Sequence, residues 1–171
     1  MNTRDELPVH ALPADVSATD AEPGNLRVGG LVWRSRILSA AELSALPRRR
    51  LAEPFVCEEG WAVNDLTWEG ISLGDALALC QPLPQARYAR VSAGSYWVAL
   101  PLSELDRALL CDRLNGEPLA REHGAPWRLV FSGAACFTSV KWVSAIELAA
   151  APGDATAERI ARGRLTTPGA D

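Results

Sequence analysis

Three side chains suited to holding an anion fall within one short block of the sequence. His123 and Arg128 lie in His123-Gly124-Ala125-Pro126-Trp127-Arg128, and Lys141 follows in Ser139-Val140-Lys141-Trp142. Lys141 is conspicuous because the seventeen basic residues are sixteen arginines and this one lysine. Lysine offers a compact ammonium on a flexible stem, whereas arginine offers a planar fork. With a histidine beside them, the two make a plausible site for phosphate. The second suggestive stretch lies upstream: Phe55-Val56-Cys57-Glu58-Glu59-Gly60-Trp61, then Trp68-Glu69-Gly70. Cys57 closes a short apolar run that reads as a strand, so it stands where a rigid element meets a loop, a frequent setting for metal-binding and catalytic side chains. Each residue also has an ordinary explanation. Cys57 reads equally as a small buried hydrophobe, Arg128 and Lys141 as surface charges on strands, and Trp61 and Trp142 as core aromatics.

The elements that must position these groups are short. Residues 1–25 are rich in Pro, Ala, Asp, Glu and Thr without periodicity and read as an extended or disordered arm. Structure is expected from Leu26, with a strand over Leu26–Trp33. Ser39 with Glu42 forms a capping box that opens a short helix before Pro47. Arg48-Arg49-Arg50 reads as a solvated turn, and Ser72 caps a second short helix. Arg87–Val91 and Tyr96–Leu100 read as a hairpin. Ser103 is expected to cap a third helix carrying Leu105, Leu109, Leu110 and Leu114, ended by the left-handed stop Asn115-Gly116. Trp127–Phe131 and Ser139–Leu148 are the last predicted strands, and alternation in the latter turns Lys141 off the apolar face. From Ala149 a tail follows, with a short helix expected over Ala155–Arg162. This pattern predicts an α+β fold with a β-rich mixed-sheet core, residues 26–148 forming the domain and 149–171 a C-terminal tail.

Composition narrows the function. A net charge of −4 and a pI near 5.3 argue against nucleic acid or an anionic membrane surface as the main partner. No apolar run approaches the ~20 residues of a membrane span. The N-terminus has neither a basic, apolar leader nor a twin-arginine pair, so a cytoplasmic protein is expected. Cys57, Cys80, Cys111 and Cys136 form no Cys-x-x-Cys and have no histidine at zinc-finger spacing, which excludes a structural zinc motif.

Cys57-Glu58-Glu59-Gly60-Trp61 with Trp68-Glu69-Gly70-Ile71-Ser72-Leu73, followed in order by Asn115-Gly116-Glu117-Pro118-Leu119, His123-Gly124-Ala125-Pro126-Trp127-Arg128 and Val140-Lys141-Trp142, resembles the molybdopterin-binding domain of the sulfite oxidase family. The form is closer to the bacterial sulfoxide-reductase-type branch than to the animal and plant sulfite oxidases. The resemblance implies the sulfite-oxidase-type molybdopterin-binding fold, a molybdenum–molybdopterin cofactor, and oxygen-atom transfer to or from a small or sulfur-containing substrate. It implies Cys57 as the one protein ligand to the metal and His123, Arg128 and Lys141 around the pterin phosphate, with Ser139 and Trp61 also at the cofactor. Tyr96, Asp112 and Trp61 are the candidates for the substrate pocket. An electron-transfer partner is implied, though not its identity. A metal already held by two dithiolene sulfurs needs only one more soft donor, which a lone cysteine supplies.

The sequence also departs from the family. Arg4 and His10 are the candidates for the basic residues with which the family's N-terminal segment grips the pterin. Asp112 stands where the sulfite oxidase branch has an active-site tyrosine, and its carboxylate would repel an anion such as sulfite. Ser132-Gly133-Ala134-Ala135-Cys136 replaces a turn that normally carries a second glycine. Neither a haem domain nor an immunoglobulin-like domain is present, so a minimal cofactor-binding core without haem is expected. A second reading is a non-catalytic member that binds the pterin, another phosphorylated ligand or a partner protein. A third is a relic in which Trp97 or Trp127 fills the pterin cavity.

Overall fold

A computed structural model describes residues 2–4, 6–9, 16 and 24–166. His10 lies outside the described residues. Among them, strands far outnumber the three short α-helices, in agreement with a β-rich α+β fold. A three-stranded sheet runs β1-β6-β5, with β6 (Trp61–Val63) parallel to β1 (Asn2–Arg4) and antiparallel to β5 (Phe55–Cys57). A second, antiparallel sheet is built on β10 (Ala108–Leu114). One edge of β10 pairs with β7 (Thr67–Ser72), which pairs in turn with β4 (Arg48–Ala52). Its other edge is shared by β11 (Glu117–Pro118) and β12 (Arg128–Phe131). The third sheet has the order β3-β2-β13-β8-β9. Its strands are β2 (Leu26–Gly30), β3 (Arg36–Leu38), β8 (Tyr88–Ala93), β9 (Tyr96–Pro101) and β13 (Ala145–Ala149).

Local signals were faithful where contacts are local. Ser39 caps helix Ala40–Ser44: its hydroxyl accepts from Glu42 N, and the Glu42 side chain accepts from Ser39 N at 2.9 Å. Ser72 caps helix Leu73–Ala78 in the same manner, without the reciprocal bond. β8 alternates inward Ala89, Val91 and Ala93 with half-buried partners, the pattern of a strand with one face on the core.

Three elements correct the sequence reading. The expected helix over Leu105–Leu114 is instead a 3-10 turn, Leu102–Arg107, followed by β10, and Ser103 makes no cap. Ala108, Leu109, Leu110 and Cys111 are all buried, and the last three are paired on both strand edges. Such a central strand needs a continuous apolar run, which periodicity alone does not distinguish from helix. Asn115 and Gly116 do adopt positive φ, 52° and 84°, but as the two-residue turn of the β10–β11 hairpin. Arg48-Arg49-Arg50 is no turn: it lies in edge strand β4, where exposed charges discourage pairing with another chain. The predicted strand Ser139–Leu148 shortens to β13, and the stretch before it is irregular after the 3-10 turn Cys136–Thr138.

The flanking segments pack onto this body. Leu7 and Val16 are buried, and helix Thr156–Thr166 is held near β9 by Thr156, whose hydroxyl donates to Ser95 O and accepts from Trp97 N. No helix among the described residues is long and apolar enough to cross a membrane.

Candidate functional site

A cavity of about 160 Å³ lies where the three sheets meet, far above the ~15 Å³ that one water needs. Cys57 and Trp61 reach it from the first sheet, Arg128 from the second, and Ala93 and Tyr96 from the third. Cys136, Ser139, Lys141 and Trp142 close it from the irregular stretch before β13, while Leu7 and Ala161 come from the flanking segments. Six of the residues expected at a site, Cys57, Trp61, Tyr96, Arg128, Ser139 and Lys141, thus share one cavity. Trp97 and Trp127 are not among its lining residues, so neither fills it.

Cys57 ends β5 and lies in register with Trp61 on β6. Its thiol is pushed up to about 12, chiefly by burial and by the contact with the Cys136 sulfur, although the Glu59 backbone N–H favours the thiolate. The protein therefore holds Cys57 protonated, and a soft metal cation is what would displace the proton. The Trp61 indole is fixed by stacking on Phe55 and by donating to Glu59 Oε2 at 2.9 Å. The Tyr96 hydroxyl donates to Phe137 O at 2.6 Å.

Arg128 is the most unusual group. It is 3% exposed, with its guanidinium carbon 5.1 Å from the centre of Phe55 and 5.0 Å from that of Trp68. Nη1 donates to His123 O at 3.0 Å, while Nε has no partner. Among the described residues no carboxylate pairs with it. Burial pulls its pKa down to about 10. A buried cation without a counter-charge is costly, and an orphaned donor adds to that cost.

The other two basic groups lie close by. Lys141 does not sit on a strand, and no alternation orients it. It belongs to the irregular stretch, where Nζ donates to Glu122 O at 2.9 Å and to Pro8 O at 3.4 Å. Gly124, at φ +114°, lets the chain pass Lys141 closely: a Cβ there would stand 3.0 Å from the Lys141 Cα. His123 does not line the cavity; it presents its carbonyl to Arg128, and its buried Nδ1 has no partner. Burial, and then the charges of Lys141 and Arg128, hold His123 below the ordinary histidine range.

Asp112 is placed elsewhere. Its carboxylate pairs with Arg48 on β4, outside the cavity lining, at the irregularity between Cys111 and Arg113. Asp112 is half-buried in β10, the strand that stands in place of the expected helix. Arg4 lies in β1, paired with Val63. Glu59 and Cys136 line the cavity, although the motifs assign them no role. Glu59 was legible only as a neighbour of Cys57, whereas nothing local marks Cys136, 79 residues away from its contact.

The donor set fits a molybdenum–pterin group. Among the described residues no three His, Cys, Asp or Glu side chains gather around a point, so a metal here would have to bring most of its own ligands. Cys57 offers one sulfur, and the orphaned Arg128 Nε and His123 Nδ1 mark unfilled polar capacity beside Lys141.

Comparison with known proteins agrees. The sequence profile described as "Oxidoreductase molybdopterin binding domain" matches residues 13–157. The uncharacterized oxidoreductase YuiH of Bacillus subtilis is 34% identical over 75% of this chain and 66% of its own length. The protein-methionine-sulfoxide reductase catalytic subunit MsrP of Xanthomonas axonopodis is 28% identical over 70% of this chain and 42% of its own. The fold is similar to that of the sulfane dehydrogenase SoxCD from Paracoccus pantotrophus, with a TM-score of 0.71 and 21% identity over 77% of this chain and 39% of that one. The chain thus spans two thirds or less of the length of these relatives.

Proposed function

We propose a function from the premise that the chain belongs to the family of oxidoreductase molybdopterin-binding domains. In this reading the cavity holds a molybdenum–pterin cofactor and the protein transfers an oxygen atom to or from a small, sulfur-containing substrate. The observation that carries it is Arg128: a guanidinium buried between two rings, without a carboxylate, beside Lys141 and a wall thiol. An anionic group entering the cavity would supply the missing counter-charge.

When bound, the cofactor supplies the redox and oxygen-transfer chemistry, and the protein supplies binding and orientation. Cys57 would hold the metal through Sγ, giving up its proton as it binds. Arg128 and Lys141 would hold the pterin phosphate, with Ser139 beside them, and His123 would buttress Arg128 through its carbonyl. The Trp61 indole forms a flat wall next to Cys57. Tyr96, its proton engaged with Phe137 O, presents its ring to the cavity. With Asp112 paired to Arg48, the carboxylate nearest Cys57 in the lining is Glu59, which disfavours anionic substrates and suits a neutral sulfoxide or thioether better than sulfite.

Residues 26–148 are the body of this functional unit, with the flanks closing the cavity. Four free thiols suit a reducing, cytoplasmic setting. Turnover requires an electron-transfer partner, and the reading includes no haem, so the purified protein should lack a Soret band. Elemental analysis of protein made in a molybdenum-replete host tests the proposal: near-stoichiometric molybdenum, lost in Cys57→Ser, is expected. Molybdenum far below stoichiometric and unchanged by Cys57→Ser would overturn it, and pterin retained without metal would favour the non-catalytic alternative.

A further inference from the structure

The Cys136 sulfur stands 2.9 Å from Cys57 Sγ, and both side chains line the same cavity. The other two cysteines differ: Cys80 and Cys111 are 1% and 0% exposed and lie outside the lining. A disulfide needs its sulfurs ~2.05 Å apart, so closure asks for an approach of less than about 1 Å. The Cys136 side of the pair can give. It opens the one-turn helix Cys136–Thr138 after Ser132-Gly133-Ala134-Ala135, a stretch of small residues with Gly133 at φ +69°. Cys57 is fixed by the ladder of β5 with β6.

We propose that Cys57 and Cys136 form a redox pair in which Cys57 is the resolving thiol, and that hydroperoxides join the two in a reversible disulfide within the cavity. With hydrogen peroxide the sulfur of Cys136, the more exposed of the pair, takes one peroxide oxygen as a sulfenic acid while the other leaves as water. Cys57 Sγ then attacks that sulfur. The S–S bond forms, the S–O bond breaks, and a second water leaves with the two thiol protons accounted for. Two thiols have lost two electrons to one peroxide. A small dithiol reverses the step by exchange. The bond itself follows from the cysteine pair alone. Its consequence, withdrawal of the sulfur offered to the metal, rests on the function proposed above. Oxidation would thus close the cavity to cofactor, and a bound metal would shield Cys57 from oxidation.

The test uses the full chain, purified reduced from a host grown without molybdenum and then exposed to hydrogen peroxide. Thiols are alkylated under denaturing conditions and the peptides mapped without reduction. The expected result is a Cys57–Cys136 cross-linked peptide, with two of the four thiols lost to alkylation and recovered by dithiothreitol. In Cys136→Ser no intramolecular cross-link should form. Absence of a cross-link in the wild-type chain, or pairing of Cys57 with Cys80 or Cys111, overturns the proposal. The wild-type map decides the matter even if the variant folds poorly. Molybdenum analysis of Cys57→Ser separates the two readings. A cross-link in wild type together with molybdenum kept by Cys57→Ser supports the disulfide and defeats the ligand assignment. No cross-link together with molybdenum lost in that variant does the reverse.

Discussion

Replacing Arg128 with methionine separates a ligand-binding cation from a structural one. The guanidinium is 3% exposed and drawn down to about 10 by burial. At ~1.4 kcal/mol per tenfold change in proton affinity, its burial costs the fold about 3 kcal/mol. The folded protein holds this proton less tightly than the unfolded chain does, so the cost applies in full below about pH 10 and is relieved only above it. Methionine removes the cost and keeps most of the volume between Phe55 and Trp68. It forfeits two cation–ring contacts of ~1 kcal/mol each and one hydrogen bond to His123 O of ~1–2 kcal/mol. The opposing contributions nearly cancel. Cofactor-free Arg128→Met should therefore melt within about 4 °C of the parent, at ~2–4 °C per kcal/mol for a chain of this size. Cofactor retention should nevertheless collapse, because a charge-assisted contact to phosphate of ~1.5–3 kcal/mol, some ten- to a hundredfold in affinity, is lost. The measurements are a thermal melt of the cofactor-free protein and molybdenum content after expression with molybdate. A structural ion would behave in the opposite way, with a fall of about 6–20 °C from an uncompensated loss of ~3–5 kcal/mol and unchanged molybdenum per folded molecule. That pair of results would refute the reasoning.

Asp112→Asn should leave molybdenum content unchanged and shift the melt by no more than about 4 °C, since the half-exposed pair with Arg48 is worth ~0–1 kcal/mol. Gly124→Ala combines φ +114° with a Cβ 3.0 Å from the Lys141 backbone. Strain of ~1–3 kcal/mol should lower the melt by at least about 2 °C and weaken cofactor retention by displacing Lys141. His123 is held below its ordinary range in the fold, so the unfolded chain takes up this proton first. Its contribution to stability is complete above the ordinary pKa of ~6.5 and is lost as pH falls through that value toward the folded one. Melts between about pH 7.5 and 5.5 should fall with pH less steeply in His123→Gln.

Features of this protein that depend on near neighbours are legible in the sequence. Ser39 with Glu42, Ser72 and the Asn115-Gly116 turn act through contacts within three residues, so their residue types carry their geometry. The ordered motifs likewise bring out Cys57, Arg128 and Lys141, three residues that the fold gathers at one cavity. Features set by a distant partner are not legible in this way. Leu109 and Leu110 have helical spacing in sequence but lie in β10, because β7 and β12 supply hydrogen bonds to both its edges and its two faces pack into separate apolar clusters. Asp112 lies outside the cavity lining, and its partner Arg48, 64 residues earlier, reaches it from β4. Lys141 is oriented by the carbonyls of Pro8 and Glu122 and by the gap at Gly124, not by strand alternation. The Cys57–Cys136 contact likewise arises only when the first sheet closes on the turn before β13. Residue types alone establish which groups could carry chemistry, since only certain side chains bring a thiol, a guanidinium or an ammonium, whereas burial and neighbours set how each reacts. Which of those groups meet is a property of the fold, because it depends on strand pairing between segments that share no local signal.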